Sequence, residues 1–209
     1  MKALGVLLIA YVLGSIPSAY LTSRLLGGND PRAVGSGSMG GVNVLRNVGF
    51  IPGLLTGLLD VAKGYAAVRV AVAATAAAGP GLGSGSGYGS GFIPALAGIA
   101  VVAGHDWMLF MRFRGGKGVA TSLGAFLALL PWAVPILLAI IGVSSLVLRD
   151  AYAGTVAGYW VLAPMLWRTG LASSAVAGKA ASMVLCVGVS VLITVKFAPD
   201  VAWRGRARR

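Results

Sequence analysis

Long apolar segments alternate with short polar ones along almost the whole chain. The apolar segments cover residues 4–25, 50–77, 92–111, 119–130, 132–148, 152–167 and 174–197. A helix that crosses the hydrocarbon core of a bilayer needs about 20 mostly apolar residues, and most of these segments approach or exceed that length. The pattern therefore predicts an all-α, polytopic membrane protein. The chain has no internal repeat, so we interpret residues 1–209 as a single membrane-embedded domain.

The positions of the basic residues predict how these segments cross the membrane. Groups of them lie in the loop 27–49, in the loop 112–118 and in the C-terminal tail, whereas 79–91 carries no charge. Basic loops stay on the cytoplasmic side of a membrane. An even number of crossings must then separate the second loop from the tail, so 119–148 must form two helices broken near Pro131. We predict seven transmembrane helices, with the N-terminus and 79–91 outside and the C-terminus cytoplasmic.

Composition supports a membrane location and an anionic ligand. Hydrophobic residues make up 57% of the chain and charged residues 11%, against about 25% charged residues in a soluble domain. The net charge is +12, with five Asp and no Glu, which suits an anionic membrane surface or substrate. The cations form no continuous stripe, so we expect no nucleic acid partner. Cys186 stands alone within an apolar segment, so we expect no disulfide and no metal site.

The first basic loop combines glycines, hydroxyls and a guanidinium group. Glycines let the backbone turn several N–H groups toward one point, which creates a nest for an anion. Arg46 adds a planar fork that fits a phosphate group. We expect a substrate phosphate to bind the residues of this loop that offer such donors, namely Gly35, Ser36, Gly37, Ser38, Gly40, Asn43 and Arg46. The alternative is a flexible cytoplasmic loop without a ligand.

The second basic loop places a lysine among glycines just before a predicted helix. The N-terminus of a helix that begins near Val119 attracts an anion. We expect phosphate contacts from Gly115, Gly116, Gly118 and Thr121, together with the ammonium group of Lys117. The spacing differs from that of the nucleotide-binding GxxxxGK[ST] loop and no strand precedes it, which excludes a nucleoside triphosphatase of that kind. A simple basic anchor on the cytoplasmic side would not account for the glycines around Lys117.

Ionisable residues within apolar segments are costly in a membrane, so they indicate function. Asp60 and Lys63 are three residues apart and can pair on one helix face. His105 is the only histidine and precedes the second basic loop by about two turns, so its side chain can point toward the same site. A structural ion pair and a buried structural histidine are the alternatives.

Several short motifs occur in a characteristic order between about residues 11 and 124. They are Gly14-Ser-Ile-Pro17, Asp30-Pro-Arg32, Gly35-Ser-Gly37, Asn43-Val-Leu-Arg46, Leu59-Asp-Val-Ala-Lys-Gly64, Gly104-His105 and Phe113-Arg-Gly-Gly-Lys-Gly-Val-Ala-Thr121. In type, order and spacing they resemble the bacterial acyl-phosphate:glycerol-3-phosphate acyltransferase family of membrane enzymes. That family also has seven helices and cytoplasmic motif loops.

The resemblance implies a reaction, a location and a set of roles. The reaction is acyl transfer from a fatty acyl-phosphate to the 1-hydroxyl of glycerol 3-phosphate, which yields lysophosphatidic acid and phosphate for phospholipid synthesis. The location is the bacterial inner membrane, among membrane lipids, and no cofactor is implied. Lys117 and Ser36 would stabilise the developing oxyanion. His105 or a substrate phosphate would accept the hydroxyl proton, and Asp60 with Lys63 would support the site.

The chain also departs from the family pattern. Ser38 stands where the family usually has Asn, Gly41-Val42 where it has Ala-Thr, and the proline that usually follows His105 is missing. A third motif of the family, with an Arg-His pair, an Asn and a Glu, has no counterpart, because no His, Asn or Glu follows residue 124. A transferase with another acceptor, or a protein that binds lipid or phosphate without catalysis, therefore stays open.

Overall fold

The computed structural model of the chain describes residues 2–26, 28–77, 91–174 and 176–207. These residues form nine α-helices and contain no β-strand, which confirms the all-α prediction. A 3-10 turn, Leu109–Met111, follows α5. The helices are α1 (Lys2–Gly14), α2 (Ser18–Leu25), α3 (Gly41–Asn47), α4 (Phe50–Ala77), α5 (Phe92–Asp106), α6 (Val119–Leu129), α7 (Ala133–Leu148), α8 (Ala151–Thr169) and α9 (Lys179–Ala207).

Each predicted apolar segment corresponds to helix, but two details differ from the prediction. The first segment is split into α1 and α2, because Pro17 has no N–H to continue the helical ladder. The short helix α3 lies inside the first basic loop and was not predicted. The break near Pro131 is confirmed, since α6 ends at Leu129 and α7 begins at Ala133.

Three helical stretches of the described chain are long and apolar enough to cross a membrane. They are Ala3–Leu25, Phe92–Met111 and Lys179–Ala202. Many large apolar side chains on the outside of the bundle are exposed, as expected for a surface that lipid covers. Residues 79–90 of the segment predicted to be external lie outside the described residues, as do Arg208 and Arg209 of the tail.

Glycines allow two helix pairs to pack backbone to backbone. A Cβ atom at Gly14 of α1 would overlap a carbonyl of α5, and one at Gly104 of α5 would overlap a carbonyl of α1. Gly64 of α4 and Gly124 of α6 make the same reciprocal approach. Small residues bring membrane helices this close because lipid provides no hydrophobic drive for association. The two contacts hold α5 and α6, which flank the second basic loop, against α1 and α4.

Candidate active site

The first basic loop is folded around one asparagine. Asn43, at the start of α3, is buried, and its amide Nδ2 donates to the carbonyl oxygens of Pro31 at 2.9 Å and Ser38 at 3.0 Å. Its Oδ1 accepts the backbone N–H of Ser36 at 3.0 Å. The amide of Asn43 therefore stabilises the fold of the loop. From the sequence we had predicted that Asn43 binds a substrate phosphate.

Two glycines of this loop adopt backbone angles that favour glycine. Gly35 and Gly37 have φ angles of +56° and +67°, in the left-handed region. A Cβ atom at Gly35 would also overlap the side chain of Asn47. Ser36, between these two glycines, is exposed. The backbone thus presents Ser36 and Ser38 next to the start of α3, and Arg46 follows on the same helix.

The second basic loop packs against the end of α5. The N–H of Gly116 donates to the carbonyl of His105 at 3.0 Å, and a Cβ atom at Gly116 would overlap the imidazole. Gly118 has φ +71° and caps the N-terminus of α6, which begins at Val119 as predicted. The two loops touch where the N–H of Met39 donates to the carbonyl of Gly115 at 3.5 Å.

A buried cluster of ionisable side chains connects the broken first segment with α4 and α5. Lys63 Nζ lies 2.8 Å from Asp60 Oδ1 and donates to the carbonyl of Ile16 at 3.0 Å. That carbonyl lies at the break before Pro17, so the lysine satisfies an acceptor beside the interruption of the helix. His105 Nδ1 lies 3.5 Å from the same Asp60 oxygen. All three side chains are buried.

Lys117 is surrounded by residues of the C-terminal half of the chain. Its Nζ lies 2.7 Å from Asp200 Oδ2 on α9. The ammonium group also lies over two aromatic rings, 4.2 Å from the ring centre of Tyr152 and 4.7 Å from that of Phe197. These rings meet edge to face, with centres 5.6 Å apart. Three groups from α8 and α9 therefore contact the ammonium group of the lysine.

A cavity of about 760 Å³ lies between the two loops. Its polar wall contains hydroxyl, amide, guanidinium, carboxylate and ammonium groups, contributed by Ser36, Ser38, Asn43, Arg46, Asn47, Asp60, Lys117, Tyr152 and Thr155. Its apolar wall consists mainly of side chains from α3, α4 and α6, including Leu45, Phe50, Leu54, Leu58, Val61 and Leu123. One cavity thus combines cations with a surface that fits a hydrocarbon chain.

The cavity brings together part of the set predicted from sequence. Its wall includes Ser36, Ser38, Gly40, Asn43, Arg46, Asp60 and Lys117. The other predicted residues do not line it, namely Gly35, Gly37, Lys63, His105, Gly115, Gly116, Gly118 and Thr121. Among these, His105 lies behind Asp60 and Gly116, and Thr121 is fully buried on α6, where its carbonyl faces Gly64.

Sequence reasoning missed the residues that α8 and α9 contribute. Tyr152, Thr155 and Phe197 line the cavity, and Asp200 contacts Lys117. The available signal was weak. Asp200 is a single acidic residue in a basic tail, and the two aromatic residues stand in segments that read simply as membrane helices.

A further ion pair lies in the first loop, away from the cavity wall. Arg32 Nη2 donates to Asp30 Oδ2 at 2.7 Å and lowers the pKa of Asp30 to about 2. Any stability that this pair contributes is present above the ordinary pKa of 3.8 and is lost as the pH falls toward 2. Because both side chains are partly exposed, we expect that contribution to be small.

Comparison with known proteins identifies the family. Residues 4–203 match the model of the family described as glycerol-3-phosphate acyltransferase. The chain is 37% identical over 198 residues to glycerol-3-phosphate acyltransferase 3 of Dehalococcoides mccartyi strain CBDB1, which covers 93% of this chain and 88% of that protein. It is 36% identical over 159 residues to glycerol-3-phosphate acyltransferase 1 of Moorella thermoacetica, which covers 76% of this chain and 74% of the relative.

Solved structures with the same fold belong to an integral membrane enzyme. The crystal structure of PlsY (YgiH), an integral membrane glycerol 3-phosphate acyltransferase, in its glycerol 3-phosphate form superposes with a TM-score of 0.78 and 26% identity. Its lysophosphatidic acid form gives 0.79 and 25%. Both matches cover 100% of this chain and 94% of the other. The chain is therefore a membrane protein and belongs to the glycerol-3-phosphate acyltransferase family.

Proposed function

We propose that the protein transfers an acyl group from a fatty acyl-phosphate to the 1-hydroxyl of glycerol 3-phosphate, and releases lysophosphatidic acid and inorganic phosphate. The cavity carries this proposal. It places Arg46 and Lys117, from two different loops, beside one apolar wall. Both substrates carry a phosphate group, which suits the two cations. One substrate also carries a hydrocarbon chain, which suits the apolar wall. The relatives named above act on glycerol 3-phosphate, which supports the acceptor.

The two phosphate groups have different binding partners in this proposal. The first loop, with Arg46, Ser38 and the N–H groups around Gly40, takes one phosphate. Lys117 takes the other at the opposite loop. Asn43 and the glycines that do not line the cavity contribute by holding these loops in shape. The acyl chain lies along the side chains of α4 and α6 that form the apolar wall.

The chemical step needs no covalent enzyme intermediate, but it does need charged groups of the protein close to the reacting atoms. The 1-hydroxyl oxygen attacks the acyl carbonyl carbon, the bond from that carbon to the phosphate oxygen breaks, and phosphate leaves. Negative charge develops on the carbonyl oxygen during attack, and the ammonium of Lys117 with the hydroxyl of Ser36 stabilises it. Binding of both substrates in one cavity supplies the rest of the rate enhancement, because it brings the reacting atoms together before the reaction.

The hydroxyl proton passes to the phosphate group of the donor, which leaves with it. The position of His105 behind Asp60 and Gly116 favours a positioning role over direct proton abstraction. Asp60 reaches the cavity wall, and Lys63 and His105 hold it from behind. The assignment of His105 as the base stays a prediction. The variant His105→Gln tests it, because loss of a positioning residue leaves the pH dependence of kcat unchanged, whereas loss of the base alters it.

We also propose that the whole chain forms one membrane domain with seven crossings in a bacterial inner membrane. The break between α6 and α7 supports the even number of crossings that the basic residues require. Both loops of the cavity then lie on the cytoplasmic side, where soluble glycerol 3-phosphate reaches them.

The acceptor can be tested with purified protein in detergent. Phosphate release from palmitoyl-phosphate is measured with glycerol 3-phosphate, with glycerol, with other polyol phosphates and without an acceptor. We expect release only with glycerol 3-phosphate. Release that prefers another acceptor would leave a transferase of different specificity. No release with any acceptor, from protein that unfolds cooperatively on heating, would leave a binding protein without this activity.

A further inference from the structure

The two cations of the cavity differ in their surroundings. Within the described residues, no carboxylate lies within ion-pair distance of Arg46. Lys117, by contrast, lies 2.7 Å from a carboxylate oxygen of Asp200. Lys117 lines the cavity, whereas Asp200 does not and contacts the lysine from α9. An anion in the cavity must therefore share Lys117 with a negative charge already in place.

Two aromatic rings hold the ammonium group independently of that carboxylate. Tyr152 on α8 and Phe197 on α9 both line the cavity and both lie within 5 Å of Lys117 Nζ. Cation–π contacts of this kind fix the position of a lysine without altering its charge. The carboxylate of Asp200 is thus not needed to keep the lysine at the cavity wall. Its main effect is to cancel part of the positive charge that a ligand meets.

We propose that Asp200 is a countercharge that limits how tightly Lys117 holds phosphate. This inference rests on the proposed function, in which every turnover leaves an inorganic phosphate beside Lys117. A lysine without a countercharge would retain that product. A carboxylate that competes for the same ammonium group weakens the complex and speeds phosphate release. Asp200 is therefore a residue that sets affinity in the phosphate subsite, and it does so from the C-terminal part that lacks the third family motif.

The test measures the dissociation constant of inorganic phosphate by calorimetry on purified full-length protein in detergent at low salt. Asp200→Asn and Asp200→Ala remove the charge, and Asp200→Glu keeps it. Asp30→Asn is the matched control, because it removes an equal charge from a second ion pair of the same length, 2.7 Å, away from the cavity wall. We expect the neutral Asp200 variants to bind phosphate about fivefold more tightly, and the other two to stay within about twofold of the unmodified protein.

A gain in affinity separates this role from a structural one, because damage to the fold does not tighten binding. Unchanged or weaker phosphate binding in both neutral variants would overturn the proposal, as would equal tightening in Asp30→Asn. Lys117→Ala distinguishes failure of the phosphate subsite from failure of the countercharge role of Asp200. If that variant binds phosphate as the unmodified protein does, the phosphate subsite itself is wrong. If it loses binding while Asp200→Asn gains nothing, only the countercharge is wrong.

Discussion

Gly116 shows how a single missing side chain shapes the site. Its Cα lies against the imidazole of His105, and His105 in turn lies 3.5 Å from Asp60. The glycines of the second loop were predicted from sequence to contact a substrate phosphate. The structure gives Gly116 another reason to lack a side chain, since its N–H is already bonded to the carbonyl of His105. Close packing behind the cavity, and not direct contact with substrate, accounts for this glycine.

A Gly116→Ala substitution tests that explanation. The added Cβ overlaps a buried ring that cannot move freely, so His105 and Asp60 must shift. We expect kcat/KM to fall at least tenfold and the melting temperature in detergent to drop by several degrees. Gly142→Ala on α7 is the control, because nothing lies near the position of its Cβ and the substitution favours helix. Equal effects of the two substitutions would contradict the packing explanation.

At the scale of elements, the interruption between α1 and α2 is tied to α4 by a buried lysine. Lys63 contacts both the carbonyl of Ile16 and the carboxylate of Asp60. Burial of one charge without its partner is costly, whereas a neutral pair is tolerated much better. The broken helix and the buried charge therefore stabilise one another, and together they place Asp60 at the cavity wall.

Lys63→Met removes this tie and leaves Asp60 buried without its ammonium partner. We expect a loss of roughly 3 kcal/mol in unfolding free energy, measured by thermal or denaturant unfolding in detergent. Adding Asp60→Asn should restore most of the stability but none of the lost activity, because Asp60 faces the substrates. Lys179→Met is the matched control, since Lys179 packs over the ring of Trp167 at 3.8 Å and forms no ion pair with a carboxylate of the described residues. A double variant no more stable than Lys63→Met would argue against the charge pair.

At the scale of the whole molecule, the orientation in the membrane can be measured directly. With Cys186 replaced by Ser, single cysteines are introduced by Ser84→Cys and Arg114→Cys and probed in cells with a membrane-impermeant maleimide. The distribution of basic residues predicts labelling at position 84 from outside and protection at position 114. The opposite pattern would place the cavity loops outside the cell and contradict their access to cytoplasmic glycerol 3-phosphate.

Sequence alone predicted much of this molecule, for clear physical reasons. Apolar segments and Pro131 determine where helices lie and break, because those signals are local. Motif residues such as Arg46 and Lys117 also reach one cavity, as expected. Thr121 does not, because the turn of α6 directs it into the core. Pro17 likewise accounts for the helix break after Gly14. The short helix within the first loop depends on tertiary contacts that no local pattern reveals.

The contribution of the C-terminal half was the least predictable. The third family motif is missing from the sequence, which suggested that half of the site was absent. The structure instead brings Tyr152, Phe197 and Asp200 to Lys117, across distances in the chain that only folding can close. Aromatic residues in a membrane helix carry no sign of such a role until the helices are packed.

The central claim is that one cavity joins an acyl donor to glycerol 3-phosphate. It is tested most directly by the ratio of lysophosphatidic acid formed to phosphate released, measured by mass spectrometry and phosphate assay on one reaction with palmitoyl-phosphate. We expect equal amounts of the two products, with both rates about 100-fold lower in Lys117→Ala. Phosphate released without lysophosphatidic acid, or full activity in Lys117→Ala, would contradict it.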